Sequence, residues 1–339
     1  MTVHASELLA AVEQELHDRI QSMDDTLAPL YNMMGYHLGW LDASLSPVQA
    51  NPGKRTRPLL CLLCCLAAGG EWRRAVPAAA ALELVHNFSL LHDDIEDNSE
   101  TRRGRSTVWK LWGLAQGINT GDAMHVLAHR SVAGLQDQGY GPQVVVEVYG
   151  LLDDTLSQLC EGQYLDMAFE GDLGVTEHQY MRMIGGKTAA LFAASTQLGA
   201  YLAGSPDHST HFRQFGWSLG LAFQMVDDVL GIWGDPQVTG KSAASDLCDR
   251  KMTLPVIHAL QHRDTAAGFA ELYRGAALGV AELPKALALL ANAGARKYVE
   301  GRVDQFQAAA RLALNAVHPP PAYGRMLQDL VDSVGNRNR

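Results

Sequence analysis

Hydrophobic residues recur along most of the chain at spacings of three and four, the period of an amphipathic helix. The first such run extends from Ser6 to about Met23. The same pattern predicts helices over about 25–44, 75–97, 119–136, 143–169, 176–203, 209–233, 252–262, 283–293, 294–315 and 322–334. A further helix is expected directly after the break at Asn51-Pro52-Gly53. The predicted fold class is therefore all-α.

Nothing in the sequence divides the chain into parts. No charged, proline-rich or low-complexity stretch separates two halves, and no short repeat is present. The chain has 339 residues, 47% of them hydrophobic, which is enough for a large buried core. A single domain over residues 1–339 is predicted.

The stretch HNFSLLHDDIEDNSETRRG ends an apolar run in a group of carboxylates, which two arginines follow. On a helix, Asp93 and Asp97 lie one turn apart with Asp94 beside them, and His86 falls within about 20° of the same stripe. Carboxylates this close repel one another unless a cation lies among them. Oxygen ligands at a helix end suit Mg²⁺ holding a phosphate. A solvated acidic helix end is the alternative, and this segment alone leaves both open.

A second stretch, FQMVDDVLGIWGDPQVTGKSAASD, repeats the pattern. Asp227 and Asp228 close an apolar run, Gln224 precedes them by one turn, and Lys241 follows downstream. Two aspartate pairs, each on an apolar helix and each followed by basic residues, are hard to explain as solvated faces. They favour two walls of one site for a polyphosphate and its metal ions.

With these motifs the chain resembles the trans-isoprenyl diphosphate synthases of the polyprenyl synthetase family, most closely the short-chain geranylgeranyl and farnesyl diphosphate synthases. DDIED matches that family's first DDxxD motif, and GKRTRP matches its GKRxRP segment. The resemblance covers roughly residues 50–255, and beyond them only helicity supports it. It implies a helical bundle of the isoprenoid synthase type around a central apolar cavity, assembled as a homodimer.

The resemblance also implies the substrates, cofactor and binding residues. The diphosphate of isopentenyl diphosphate would lie against Lys54, Arg57, His86 and Arg103. About three Mg²⁺ ions would be held by Asp93, Asp94, Asp97, Asp227 and Asp228. The diphosphate of the second substrate, an allylic prenyl diphosphate, would contact Arg102, Lys187, Thr188, Gln224 and Lys241, with Gln163 and Asp166 lining the same cavity. Catalysis would rest mainly on Asp93, Asp94, Lys187, Asp227 and Lys241. Lys251 is a weaker candidate than Lys187 for contact with the allylic diphosphate.

The second aspartate motif departs from the family pattern. Many relatives carry DDxxD there, whereas this chain has Gly231 at the fifth position. A metal ion held mainly by Asp227 tolerates that change. Asp235 or Asp246 are candidates to supply a carboxylate through water in its place.

Product length depends, by the same resemblance, on the residues four and five positions before the first aspartate. These are Ser89 and Phe88, and the pair is similar to that of geranylgeranyl diphosphate synthases. Helix geometry is less decisive, because Phe88 lies about 140° around the helix from Asp93 and could equally be an ordinary core residue. A twenty-carbon product is predicted, with fifteen carbons or a longer chain as alternatives.

The net charge, the cysteines and the N-terminal sequence further narrow the possible classes of protein. The net charge of −10 argues against nucleic acid or an anionic membrane surface as the main partner. Cys61 and Cys64 have zinc-like spacing, but no second pair follows, so buried thiols are favoured. No export signal or uncharged membrane-spanning run is found, which predicts a cytoplasmic protein without a membrane span.

Two other functions remain to be weighed. A class I terpene cyclase also ionises a prenyl diphosphate, but it needs no isopentenyl diphosphate site, so Lys54, Arg57 and His86 disfavour it. An inactive regulatory subunit of a synthase commonly loses one aspartate motif, whereas both pairs are present here.

Overall fold

The computed structural model describes residues 3–21, 24–51, 53–235, 244–274, 278–279 and 281–335. The chain divides into two compact units, the first formed by Met1–Asp153 and Ser195–Ser209 and the second by Asp154–Ala194 and Thr210–Arg339. Each unit is almost wholly helical, which confirms the predicted all-α class. That the chain acts as one domain stays a prediction.

Helices build the first unit around one buried element. In chain order they are α1 (Ala5–Arg19), α2 (Ala28–His37), α3 (Thr56–Ala67), α4 (Val76–Glu96), α5 (Val108–Trp112) and α6 (Leu114–Ala133). The start of α7 (Pro142–Ala168) and the end of α9 (Ala190–Leu202) also belong to it. A single turn of 3-10 helix, Trp72–Ala75, leads into α4.

The centre of the first unit is α4, which packs against α1, α3 and α6. Four consecutive alanines near its start, at 78–81, are almost completely buried. Because alanine has no side-chain atoms beyond Cβ, neighbouring helices can approach this part of α4 closely. The close packing fixes the helix whose last turn carries the first aspartate motif.

The second unit contains the end of α7 and the helices α8 (Glu177–Ile184), α10 (Pro206–Trp233), α11 (Ser245–Cys248), α12 (Leu254–Gln261), α13 (Ala266–Arg274), α14 (Leu283–Asn292), α15 (Ala295–Ala316) and α16 (Pro321–Gly335). Between α8 and α9 the chain forms a π-helical segment, Gly185–Ala189. The core of this unit lies where α12 packs against α8, α13, α14 and α15.

The segment 98–106, which follows α4, is partly a β-hairpin. Strand β1 (Thr101–Arg102) pairs antiparallel with β2 (Arg105–Ser106). Arg103 and Gly104 form the turn with φ of 53° and 74°. Positive φ at both central residues is the geometry of a type I′ turn, which glycine favours.

Within the described part of the chain, no helix is both long enough and apolar enough to cross a lipid bilayer.

Candidate active site

The first aspartate motif lies in the last turn of α4. Asp94 is 1% exposed, Asp93 is half-buried, and Asp97 is the C-terminal cap of the helix. A helix C-terminus carries partial negative charge, so carboxylates there are electrostatically unfavourable without cations. Arg102 supplies one cation: its Nε donates to Asp94 Oδ1 at 2.7 Å, and its Nη2 donates to Asp93 Oδ2 at 3.0 Å. The guanidinium thus bridges both carboxylates.

Asp94 still has an unsatisfied oxygen. Its Oδ2 is buried and accepts no hydrogen bond. Burial raises the pKa of Asp94 to about 6, although Arg102 acts in the opposite direction. A buried carboxylate with one open oxygen, beside a second carboxylate, fits a hard divalent cation bound through oxygen. The residues of the first motif therefore suit Mg²⁺, even though no three histidine, cysteine or carboxylate side chains in the described ranges already form a metal cluster.

The hairpin that carries Arg102 is anchored on α2. The Arg105 guanidinium lies 4.0 Å from the Tyr36 ring centroid and donates to the Tyr36 carbonyl at 3.1 Å and the Leu41 carbonyl at 2.5 Å. The Tyr36 hydroxyl donates to the Ser106 carbonyl at 2.6 Å. These contacts fix the hairpin and hence Arg102. Nothing in the sequence singles out Arg105 beyond its place among basic residues.

The side chains of the basic segment before α3 differ in their burial and in their contacts. Arg55 has a left-handed backbone, with φ of 46°, and is 5% exposed. Its Nη1 pairs with Glu83 at 2.8 Å and its Nε with Glu13 at 2.9 Å. Arg55 is therefore part of the interior of the first unit. Lys54 is exposed, and Arg57 is half-buried.

His86 marks the place where the predicted anion-binding residues converge. Burial lowers the pKa of His86 well below its usual value, and the charges of Arg57, Arg103 and Arg102 lower it further. Such effects require the three guanidiniums to lie near the imidazole. The structure thus places Arg57, Arg102 and Arg103 near His86, and that these residues bind a diphosphate stays a prediction.

A small cavity opens beside this group. Its walls include Asp94, Arg102, Arg103, Asn51 and His37. His37 is the last residue of α2 and was not predicted as a site residue. No motif in the sequence marks His37. Its place in the cavity wall is evident only in the folded chain.

The second aspartate motif lies near the end of α10, where Asp228 is 4% exposed. Its Oδ2 accepts hydrogen bonds from the Tyr180 hydroxyl at 2.7 Å and the Leu254 amide at 3.0 Å. Its Oδ1 accepts one from Gln224 at 3.1 Å. Burial raises the pKa of Asp228 to about 7, and these hydrogen bonds act against that rise.

Because protein donors already hold both oxygens of Asp228, its part in metal binding stays a prediction, and we expect half-buried Asp227 to be the main ligand. Thr188 extends the same network: its hydroxyl donates to Gln224 Oε1 at 2.7 Å. Thr188, Gln224 and Asp228 are thus connected, which orders two predicted substrate-binding residues around the second motif.

Two predicted lysines meet on one carboxylate. Lys187 Nζ lies 2.5 Å from Asp166 Oδ2, and Lys251 Nζ lies 3.9 Å from the same oxygen. Lys187 belongs to the π-helical segment, a type of distortion found often at functional sites. A Cβ on Gly162 of α7 would overlap the backbone of Lys187, so the absence of a side chain there permits this close approach. Gln163 is the neighbour of that glycine in α7.

The space beside Gly231 contains a carboxylate. A Cβ built on Gly231 would overlap the carboxyl group of Asp246, which is 8% exposed. Asp246 also lies close enough to Asp228 for its charge to raise the pKa of Asp228. Asp235 is exposed. Of the two candidates for a substitute carboxylate, Asp246 therefore has the better position. The predicted Lys241 lies outside the described residues.

The predicted chain-length residues lie one and a half turns before the first aspartate. Phe88 is 7% exposed and stacks on His125 of α6, with ring centroids 4.8 Å apart. It also meets His92 edge-on at 5.9 Å. Ser89 donates to the His86 carbonyl at 2.8 Å. Phe88 thus closes a packed contact between α4 and α6, and its effect on product length stays a prediction.

The chain is similar in sequence to prenyl diphosphate synthases. The chain is 44% identical over 309 residues to a geranylgeranyl diphosphate synthase of Mycobacterium tuberculosis, covering 90% of this chain and 86% of the relative. It is 41% identical over 268 residues to a (2E,6E)-farnesyl diphosphate synthase of the same species, covering 78% of this chain and 73% of the relative.

The fold is similar to that of a polyprenyl synthetase from Streptomyces coelicolor A3(2), whose crystal structure matches with a TM-score of 0.86. That comparison covers 96% of this chain and 99% of the other, at 35% sequence identity. A sequence model described as Polyprenyl synthetase matches residues 39–290. The chain therefore belongs to the polyprenyl synthetase family, as its aspartate motifs and its GKRTRP segment predict.

Proposed function

We propose that this enzyme, a short-chain prenyltransferase of its family, condenses an allylic diphosphate with isopentenyl diphosphate in the presence of Mg²⁺ to form geranylgeranyl diphosphate. The observation that carries the proposal is the composition of the cavity in the first unit. Buried Asp94, bridged by Arg102, lies on the same walls as Arg103. A site with a metal-binding carboxylate and several guanidiniums suits a diphosphate better than any neutral ligand.

The basic residues bind and orient the two diphosphates in this proposal. Arg57, His86 and Arg103 converge in the first unit and would hold isopentenyl diphosphate, with exposed Lys54 at the entrance. Arg102, Lys187 and Thr188 would bind the allylic diphosphate. Positioning two substrates in this way replaces a bimolecular encounter with a step inside one complex.

Charge stabilisation is the main chemical task. The allylic C–O bond breaks as negative charge develops on the leaving diphosphate, and the cationic side chains stabilise that charge. Mg²⁺ held by Asp93, Asp94, Asp97 and Asp227 would supply further positive charge there. The double bond of isopentenyl diphosphate then attacks the allylic carbon, and a proton is lost to the released diphosphate. Apolar helix walls exclude water, which would otherwise capture the cation.

Two parts of the proposal rest on the sequence and family alone. One is that both aspartate motifs serve the same allylic diphosphate. The other is the number of Mg²⁺ ions, about three in each active site.

We base the proposed product length on the residue types at Phe88 and Ser89 and on the names of the similar proteins. The relative at 44% identity is named a geranylgeranyl diphosphate synthase, and the one at 41% a farnesyl diphosphate synthase. We favour twenty carbons because the first of these matches more of the chain. A fifteen-carbon product is the second candidate.

The test is incubation with Mg²⁺, isopentenyl diphosphate and each allylic diphosphate in turn, followed by mass spectrometry of the products. Accumulation of geranylgeranyl diphosphate supports the proposal. Accumulation of farnesyl diphosphate would instead make fifteen carbons the product length. Cyclic hydrocarbons formed without isopentenyl diphosphate would identify a cyclase. No turnover of any substrate would indicate a regulatory subunit.

We also propose a homodimer, through the exposed apolar face of α6. Leu114, Ile118 and Val126 are 55%, 44% and 58% exposed and recur at multiples of four residues, which places them along one side of the helix. Apolar stripes of this kind commonly mark protein–protein contacts. The cytoplasmic location stays a prediction from the sequence.

A further inference from the structure

His37 is a half-buried polar residue that the reaction described above does not use. Its Nε2 atom is buried and has no hydrogen-bond partner. Buried nitrogen atoms without a partner are uncommon in folded proteins, because the lost hydrogen bond to water is not replaced. His37 lines a cavity, so a ligand bound there is one candidate partner for this nitrogen.

The surroundings of His37 indicate an anion. His37 lines the same cavity as Arg102, Arg103, Asn51 and Asp94. Burial lowers the pKa of His37 well below its usual value, and the charges of Arg103, Arg102 and Arg55 lower it further. The imidazole is therefore neutral in the ligand-free protein, yet a neutral imidazole still has one N–H donor.

A neutral donor has an advantage at this position. Arg102 and Arg103 already bring two positive charges to the cavity, and a third charge would add repulsion whenever the cavity holds no anion. An uncharged N–H adds a hydrogen bond to an incoming phosphate oxygen without that cost.

His37 is also close to His86. Its presence is one of the causes that lower the pKa of His86, which places the two imidazoles in one electrostatic environment with Arg57 and Arg103. Because His86 and these arginines are the proposed ligands of isopentenyl diphosphate, His37 lies next to that subsite rather than in a separate one.

We propose that His37 is a further ligand of the isopentenyl diphosphate subsite, and that its Nε2–H donates a hydrogen bond to a diphosphate oxygen. The inference rests on the proposed function, since it assigns a residue to the same reaction. It also explains why α2 ends at the cavity: the contacts of Tyr36 with the hairpin hold the last turn of α2, and hence His37, beside Arg103.

A purely structural role is the competing explanation. The Asn87 side chain raises the pKa of His37 by hydrogen bonding, the smallest of the contributions to it, yet neither His37 Nε2 nor Asn87 Oδ1 reaches full hydrogen-bond geometry. A small rotation of the ring would join the two and fasten α2 to α4. In that case the loss of His37 would lower stability and would not affect one substrate selectively.

The test compares His37→Ala, His37→Gln and a matched control. Gln places an amide N–H near the position of Nε2, so it retains the donor, whereas Ala removes it. The control is His258→Gln, another half-buried histidine, whose Nε2 already lies 3.1 Å from the Ala293 carbonyl in the second unit. Three quantities are measured: the Kd for isopentenyl diphosphate by calorimetry without metal, KM for each substrate with Mg²⁺, and the melting temperature.

We expect His37→Ala to raise both Kd and KM for isopentenyl diphosphate by about tenfold or more, the effect of one hydrogen bond to a charged group. KM for the allylic substrate should change by less than about twofold. His37→Gln should recover most of the affinity, and His258→Gln should retain all of it.

Unchanged affinity for isopentenyl diphosphate in a folded His37→Ala protein would overturn the inference. The proposed function would still stand if the wild-type protein formed the product. Equal increases in both KM values, with a lower melting temperature and no recovery in His37→Gln, would also overturn it in favour of the structural role. A wild-type protein that neither binds isopentenyl diphosphate nor forms product would refute the proposed function itself.

Discussion

Asp93 and Asp94 share one guanidinium but differ in surroundings. Asp94 is buried with an open oxygen, whereas the side chain of Asp93 is 19% exposed. Arg102 balances at most one of the two charges, and both lie at the negative end of α4. Because of this local excess of negative charge, we expect a metal ion to stabilise this turn and either carboxylate to be essential for turnover.

Removal of Asp93 tests that role. We expect Asp93→Ala to lower kcat by at least about a hundredfold, because a loss of about 2.7 kcal/mol of transition-state stabilisation corresponds to that factor. Steady-state kinetics with saturating Mg²⁺ measure the effect. Asp137→Ala is the control, since Asp137 is an exposed carboxylate of the first unit outside the site. Turnover near the wild-type level in Asp93→Ala would count against the assignment of the first motif.

Phe88 gives a second prediction for a single side chain. Replacing it with alanine removes the ring stacked on His125 and opens space between α4 and α6. If Phe88 limits chain growth, Phe88→Ala should yield longer products, which mass spectrometry resolves.

The control for that change is Phe212→Ala, which removes a fully buried ring in α10 and has a comparable cost of about 3–5 kcal/mol in stability. Both variants should melt at lower temperature, but only Phe88→Ala should change the product. An unchanged product from folded Phe88→Ala would mean that Phe88 is an ordinary core residue.

Among the elements, helices were predicted well and short irregular segments were not. The periodic pattern located α4, α7 and α10 to within a few residues of their observed ends. Three short helices, α5, α11 and α13, were missed because five, four and nine residues give too few repeats of the helical period. The hairpin was missed because its strands have two residues each and no alternating pattern.

A π-helical segment, Gly185–Ala189, divides the helix predicted over 176–203, and it begins at two consecutive glycines. A glycine pair is a place where a helix changes readily, but the residue types do not determine the form of the change. The contact between this segment and Gly162 depends on α7, which is distant in sequence, so local propensity could not reveal it.

The missing carboxylate of the second motif gives a prediction for α10. Gly231→Asp should place a side chain in the volume of the Asp246 carboxyl group, so crowding and repulsion should lower kcat and Mg²⁺ affinity by about tenfold. Asp246→Ala should also weaken Mg²⁺ binding. The double variant should recover part of both losses, because one carboxylate again occupies that volume.

A double-mutant cycle on Mg²⁺ affinity, measured by titration of the protein, quantifies this coupling. Gly301→Asp is the control, since a Cβ there meets no atom within 4 Å. Strict additivity of the two losses would show that Asp246 does not take the place of the missing residue.

For the whole molecule, the sequence correctly predicted the family and the class of enzyme, since a family model matches residues 39–290 and relatives of known activity align over most of the chain. Whole-chain similarity also identifies the isoprenoid synthase type of all-α fold. The oligomeric state of the protein follows neither from the structure of a single chain nor from its motifs.

Val126→Glu tests the proposed homodimer. A charge on the apolar face of α6 would have to be desolvated in the interface, so we expect the variant to be a monomer at concentrations where the wild type is a dimer. Light scattering after size exclusion measures the mass. Leu312→Glu, at an apolar position of α15 that is 74% exposed, should leave the mass unchanged. Equal masses for wild type and Val126→Glu would exclude this face as the interface.

The sequence by itself determined the helical periodicity, the two aspartate motifs and the basic segment, because these depend on residue types at short, fixed spacings. Only the tertiary structure decided which of the charged side chains lie together. Arg55 is adjacent to Lys54 yet pairs with Glu13 and Glu83, while His37 reaches the cavity from α2 and Asp246 reaches Gly231. Each of these contacts joins residues that are far apart or unpatterned along the chain, and packing of the helices alone brings them together.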